Sequence, residues 1–302
     1  MTESLLRHFR IFEPHPGVFA YYDGRVDGHR FAAEPNWVDD GAIALGIATY
    51  AILAGDEALV YDTHVSVTHG AAIRAHLEGQ GARRFTIVYS HWHLDHVAGS
   101  AAFPGAPVIA NARTAALLTE HRTAIEDGTD HGPPAIKPLV LPDRIFTGQM
   151  SFRFGAYAVE LIEANVHSDD ATVLWLPEQG LLLAGDVVED CVTYVGAPED
   201  FVIHLRDLDR LAALRPRRVL PDHGAPDVIA KGGYGPELLE ATSRYIRWLV
   251  GLERDPGGAT LPLADVIAAD LAAGTLQWFA PYEDIHQQNI DRTLAHYRQH
   301  RG

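Results

Sequence analysis

Cysteine is all but missing from this chain: 302 residues contain one, Cys191. A lone thiol excludes an intramolecular disulfide framework and any zinc site built from several thiolates. Basic residues are also scarce, 24 Lys and Arg against 40 Asp and Glu, which leaves a net charge of −16 with histidine neutral. A surface that follows a phosphate backbone needs a basic face, so no nucleic-acid partner is expected. No apolar run approaches the ~20 residues that a spanning helix requires. The opening stretch, Met1 to Arg10, has charges where a signal peptide would be apolar. A cytoplasmic protein without a membrane partner is the expectation.

What the chain does have is apolar material, 47% of its residues, and seventeen histidines. The first is enough for a large core with an added subdomain, which excludes disorder as the overall state. The second means that a metal site here would use histidine and carboxylate, provided the spacing is right.

The first forty residues read as short strands and turns, with an apolar run over 17–22 ahead of the turn signal Asp23-Gly24. Strands are expected within 43–53 and at 58–61, 85–89, 108–110, 145–146, 151–154, 158–163, 172–176, 181–183 and 218–220. Helical spacing covers 69–79, 113–121 and 204–214. The polar, Pro-rich interval 126–138 reads as a long loop, of a kind that can serve as a lid. Two β-rich halves are expected to join near residue 140. From Pro236 the pattern becomes helical, over 237–253, 263–273 and 285–298. The expected organisation is therefore a catalytic domain over 1–235 and a C-terminal helical extension over 236–302, packed on it.

The densest chemistry follows the apolar strand at 85–89, in Ser90-His91-Trp92-His93-Leu94-Asp95-His96. Residues two apart on an extended backbone face the same way, so His91 and His93 can aim both imidazoles at one ion. Trp92 then points elsewhere, to pack on a neighbouring loop. Asp95 and His96, at the start of the next helix, can reach a second ion nearby. A solvated His-rich loop is the plainer reading of an isolated His-x-His, but the longer pattern directly after a strand favours metal.

This segment resembles the signature of the metallo-β-lactamase superfamily. The resemblance spans about residues 15 to 230 and implies an α/β fold, an αββα sandwich of two mixed β-sheets flanked by helices. It also implies further ligands in order, and matching residues occur at strand ends. They are His167 in Asn165-Val166-His167, Asp186 closing Leu183-Ala184-Gly185-Asp186, and His223 in Pro221-Asp222-His223. Carried over, His91, His93 and His167 would hold one divalent ion, Asp95, His96 and His223 a second, and Asp186 would bridge them. Zinc suits such ligands best, though iron, manganese and cobalt also accept them. Asp62 resembles the family's strand-Asp element and is expected to orient a ligand histidine. His64 and His69 fit no ligand position.

Two ions sharing a water would lower its pKa from near 16 toward roughly 7 and polarise a carbonyl, with Asp95 as the catalytic proton carrier. Cysteine stands at the position of Asp186 in the best-known zinc β-lactamases, whereas aspartate is characteristic of glyoxalase II, lactonases and related hydrolases. The expected activity is hydrolysis of a small ester or lactone, ahead of a thioester or amide. A mononuclear iron oxidoreductase of the persulfide dioxygenase kind is the second reading, and a β-lactamase or nuclease ranks lower. Tyr194 matches loosely a tyrosine that follows the bridging aspartate in lactonases. The segment from Gly232 to Pro236 could offer N–H groups to an anion or simply be a turn into a helix. Trp248, Trp278, Phe279 and Tyr282 of the tail read mainly as core. A homodimer is a reasonable expectation.

Overall fold

The computed structural model describes residues 5–300. Seven strands build the first sheet in chain order: β1 (Arg10–His15), β2 (Val18–Asp23), β3 (Ile47–Ala54), β4 (Glu57–Tyr61), β5 (Arg84–Val88), β6 (Val108–Asn111) and β7 (Arg144–Phe146). β1 to β4 pair antiparallel, and β4 to β7 pair parallel. Parallel neighbours need a crossover. Here the crossovers carry α1 (Val67–Gly79), α2 (Leu94–Val97) and α3 (Ala112–Asp127). Capping explains where two of these helices start. Ser66 accepts from the His69 N–H ahead of α1, and Asn111 accepts from the Thr114 N–H at 2.9 Å ahead of α3.

The chain turns at Gly148, at φ +69°, into a second sheet of order β12-β11-β10-β9-β8. Its strands are β8 (Gln149–Phe154), β9 (Tyr157–Ala164), β10 (Ala171–Leu176), β11 (Leu181–Gly185) and β12 (Arg218–Pro221). Only β11 and β12 pair parallel, with α4 (Phe201–Ala212) in their crossover. Both sheets are mixed, as the family resemblance implies, and the change of sheet falls a few residues beyond 140.

Alternation along β2 shows how the layers form. Val18, Ala20 and Tyr22 face the core between the sheets, while Phe19 and Tyr21 join Ile73 and Leu77 of α1 on the outer face. After β12 come α5 (Pro226–Ala230), α6 (Glu237–Gly251), α7 (Leu263–Val266), α8 (Ala268–Ala272) and α9 (Tyr282–Gln299). Leu238, Tyr245, Ile246, Tyr282 and Ile290 belong to the same buried cluster as the inter-sheet side chains. The tail's apolar faces thus extend the main core.

Several local expectations differ from the structure. A π-helical turn, Val38–Ile43, precedes β3, which starts only at Ile47. The helix expected to end at 121 continues to Asp127 and stops at Gly128 in a left-handed conformation, so the loop begins there. The segment expected as one helix over 263–273 is two, interrupted at Ile267, and α5 lies where the sequence pattern gives no helix. No described helix is long and apolar enough to cross a membrane.

Candidate metal centre

The chemistry-bearing residues leave the sheets at one edge. His91 follows β5, His167 lies in the turn between β9 and β10, Asp186 follows β11, and His223 follows β12. His93, Asp95 and His96 enter and form α2. The folding of two sheets against each other therefore brings together residues up to 132 positions apart in sequence, from His91 to His223.

Asp186 is the hub. Its Oδ2 lies 3.2 Å from His96 Nε2, 3.5 Å from His167 Nε2, and 3.6 Å from both His91 Nε2 and His223 Nε2. His93 turns Nδ1 toward His167 Nε2 at 3.0 Å. The Asp95 carboxylate spans the other side, with Oδ1 3.5 Å from His96 Nε2 and Oδ2 3.4 Å from His223 Nε2. Ligand atoms of His91, His93, His167 and Asp186 all lie within 4.8 Å of one another, and so do those of Asp95, His96 and His223. All seven residues singled out in the sequence converge, Asp186 grouping with His91, His93 and His167, and a third cluster of Asp62, His96 and Asp222 adjoins them.

Three of the outward-facing nitrogens have close partners. His91 Nδ1 meets Ser90 Oγ at 2.8 Å, His96 Nδ1 meets Asp62 Oδ2 at 2.9 Å, and His223 Nδ1 meets the Gly46 carbonyl at 2.8 Å. These partners turn each Nε2 inward. Asp62 adopts φ +63° at the end of β4, and its other oxygen accepts from the Ser90 N–H at 2.7 Å. Asp is among the few residues that adopt this conformation readily. The expected orienting role of Asp62 has this geometry behind it.

Electrostatics divides the imidazoles. Burial pushes His91 well below the usual histidine range and His93 down to about 3, so both offer a lone pair at neutral pH. Burial also disfavours charge on His96 and His223, but the carboxylates around them, Asp186 foremost, prevail. His96 is raised well above the usual range and His223 to about 10. For Asp95, burial favours the neutral acid, yet His96 and His223 hold it down to about 2. Protons on His96 and His223 balance the carboxylates as a cation would.

A divalent ion fits this donor set. His91 Nε2 and Asp186 Oδ1 are buried without a hydrogen-bond partner, a costly state unless something else engages them. The ligand atoms gathered there are nitrogen and carboxylate oxygen, as expected for zinc, iron or manganese.

Sequence reasoning missed Asp222. Fully buried beside His223, it places Oδ2 3.2 Å from His96 Nδ1, next to Asp62. Burial, assisted by the Asp62 charge, raises its carboxyl well above the usual range. The Asp-His pair in Pro221-Asp222-His223 was the one signal present.

The remaining expectations resolve individually. The Trp92 ring lies 4.5 Å from the His121 ring of α3 and 5.5 Å from that of His93, so it packs on the neighbouring helix while still flanking the site. His64 and His69 stack at 4.5 Å outside both ligand groups, with His69 Nε2 3.1 Å from Asp23 Oδ2. Tyr194 lies 5.8 Å from the His167 ring, beneath the Arg292 guanidinium at 5.1 Å. The N–H groups of Gly232, Gly233 and Tyr234 already donate to backbone carbonyls, so that stretch is a turn into α6 and not an anion cradle. The loop after α3 is tethered by Trp37, whose Nε1 donates to the Pro134 carbonyl at 3.0 Å. Tyr282 is fully buried and Trp278 is exposed, so the tail aromatics do not share one role.

Comparison with known proteins gives the family and the fold. The family model described as the metallo-beta-lactamase superfamily matches residues 43–223, which reach as far as the last of the seven residues. The beta-lactamase-like protein 2 homolog of Drosophila melanogaster is 26% identical over 186 residues, and the match spans 59% of each chain. A metallo-beta-lactamase from Pontibacter korlensis superimposes with a TM-score of 0.60 at 18% identity, over 79% of this chain and 99% of its own. One from Hirschia baltica gives 0.56 at 19%, over 79% and 97%. At such identities the structural likeness is one of fold. With the family match covering more than half of its length, the chain belongs to the metallo-β-lactamase superfamily, whose members are generally metal-dependent hydrolases.

Proposed function

We propose that this chain is a dinuclear metal-dependent hydrolase acting on a small carbonyl substrate, an ester or lactone ahead of a thioester or amide. The carrying observation is Asp186, a single carboxylate oxygen within 3.6 Å of four imidazoles, the place a bridging ligand must occupy. His91, His93 and His167 would hold one ion, and Asp95, His96 and His223 the other. When bound, such ions lower the pKa of a coordinated water toward ~7 and polarise a carbonyl oxygen.

The chain's own residues do the rest. Asp95 keeps part of its side chain, 16%, open to solvent and is held ionised, so its carboxylate can take a proton from the attacking water and return it to the leaving oxygen. Trp92 and Tyr194 flank His93 and His167 and limit water around a bound substrate. Nucleophilic cysteine chemistry is disfavoured, because burial pushes the Cys191 thiol up to about 12. Aspartate rather than cysteine at 186 favours an ester or lactone over a β-lactam.

Metal analysis of the purified protein tests this first. About two ions per chain, with zinc predominant, are expected, together with turnover of lactones or aryl esters in a panel that includes thioesters and β-lactams. A single iron per chain would instead favour the oxidoreductase reading. Asp62→Ala is expected to weaken zinc uptake about 10- to 100-fold, the usual cost of losing an outer partner of a ligand histidine. Zinc titration of the folded variant reads it, and an affinity equal to that of the parent would count against an orienting role.

A further inference from the structure

The seven residues at the centre all precede residue 224, yet α9 reaches the loop that follows Asp186. Glu189 in that loop is 2% exposed. Its Oε2 accepts from the Tyr282 hydroxyl of α9 at 3.0 Å, and its Oε1 accepts from Thr193 Oγ1 at 3.0 Å and the Tyr194 N–H at 3.2 Å. That same Oε1 stands 3.5 Å from His167 Nδ1, a buried nitrogen that has no partner within hydrogen-bond geometry. Two turns along α9, Asn289 accepts from the Val195 N–H at 2.7 Å and donates to the Thr193 carbonyl at 3.0 Å. One face of α9 therefore grips both ends of the segment 189–195.

A histidine gives one nitrogen to a metal when the other carries the proton, and an acceptor beside that other nitrogen fixes both the tautomer and the plane of the ring. His91, His96 and His223 have such partners close at hand. For His167 the facing acceptor is Glu189, and a buried carboxylate keeps one orientation only when donors hold its oxygens. Thr193, Tyr194 and Tyr282 are those donors. We infer that Glu189, held by Tyr282, is the positioning residue for His167, so that the C-terminal helix is a working part of the metal centre. This rests on the reading of His167 as a ligand.

Zinc titration of the full chain against a competing chelator, with the melting temperature of the metal-free protein measured alongside, tests it. Tyr282→Phe removes one hydroxyl and keeps the ring in the core, while Glu189→Gln puts an amide among the donors. One of the two zinc-binding steps is expected to weaken about 10-fold in the first variant and about 100-fold in the second. The other step, at Asp95, His96 and His223, should stay close to that of the parent. Parental affinity at both steps in Tyr282→Phe overturns the inference, and so does equal weakening of both steps in proportion to a lowered metal-free melting temperature. A parent that takes up no zinc overturns the metal-centre reading itself, a result separable from either.

Discussion

Asp186→Ala is expected to abolish turnover, by more than about 10³-fold, because it removes the one group common to both halves of the centre. The loss should exceed the 10- to 100-fold typical of an outer-shell partner. The reason lies in the geometry: among the described residues, no other carboxylate pairs with both His91 and His167 on one side and His96 and His223 on the other. Without it the imidazoles raised by its charge lose their main support, and the two groups become independent. His93→Ala should fall nearly as far, since it strips one group of a ligand. Bound metal, counted per chain, should drop in both variants. Parental activity in an Asp186→Ala protein of verified metal content would sink the proposed mechanism.

Gly99→Ala is expected to cost more stability than any other single methyl group added near the site. Gly99 follows α2, and a Cβ there would lie 1.9 Å from the Thr63 carbonyl oxygen, 2.9 Å from its carbon and 3.0 Å from the Ser66 oxygen. All three are backbone atoms and cannot rotate away. The two segments are also tied together, by the Thr63 N–H to the His96 carbonyl at 2.7 Å and by the Gly99 N–H to the His64 carbonyl at 3.1 Å. Relief therefore requires moving α2 as a unit, which carries His96 away from Asp62. Overpacking of this kind costs about 1–3 kcal/mol, occasionally more. The denaturant midpoint should fall without a change in slope, and zinc affinity should fall with it. A parental midpoint would mean that the approach of α2 to the 62–66 segment is looser than described.

Much of the centre was legible because its signals are local. His91, His93, Asp95 and His96 lie within one short segment, where backbone periodicity alone decides which side chains can share a target. His167, Asp186 and His223 were legible only through the family resemblance, which implies ligands in that order, and each stands just past an apolar run that became a strand. The boundaries of α3 and of the helices at 263–272 were less so. Helix ends depend on caps and packing that a weak periodic signal does not contain. The run before β3 departs from expectation for a similar reason: apolar residues without clear alternation suit a strand or a buried helical turn equally well.

From the residues alone come the helical tail and the cluster from His91 to His96, and through the family resemblance of that cluster come the two mixed sheets and the other three residues that meet it. The tail and the first cluster rest on a period of 3.6 and on spacing, both properties of neighbouring residues, and the rest on the resemblance that the cluster carries. Only the tertiary structure decided that Asp186 faces four imidazoles, that Asp222 joins Asp62 beside His96, and that Tyr282 reaches Glu189. Those relations are distances between segments far apart in the chain. They are set by how layers pack, which no local pattern records.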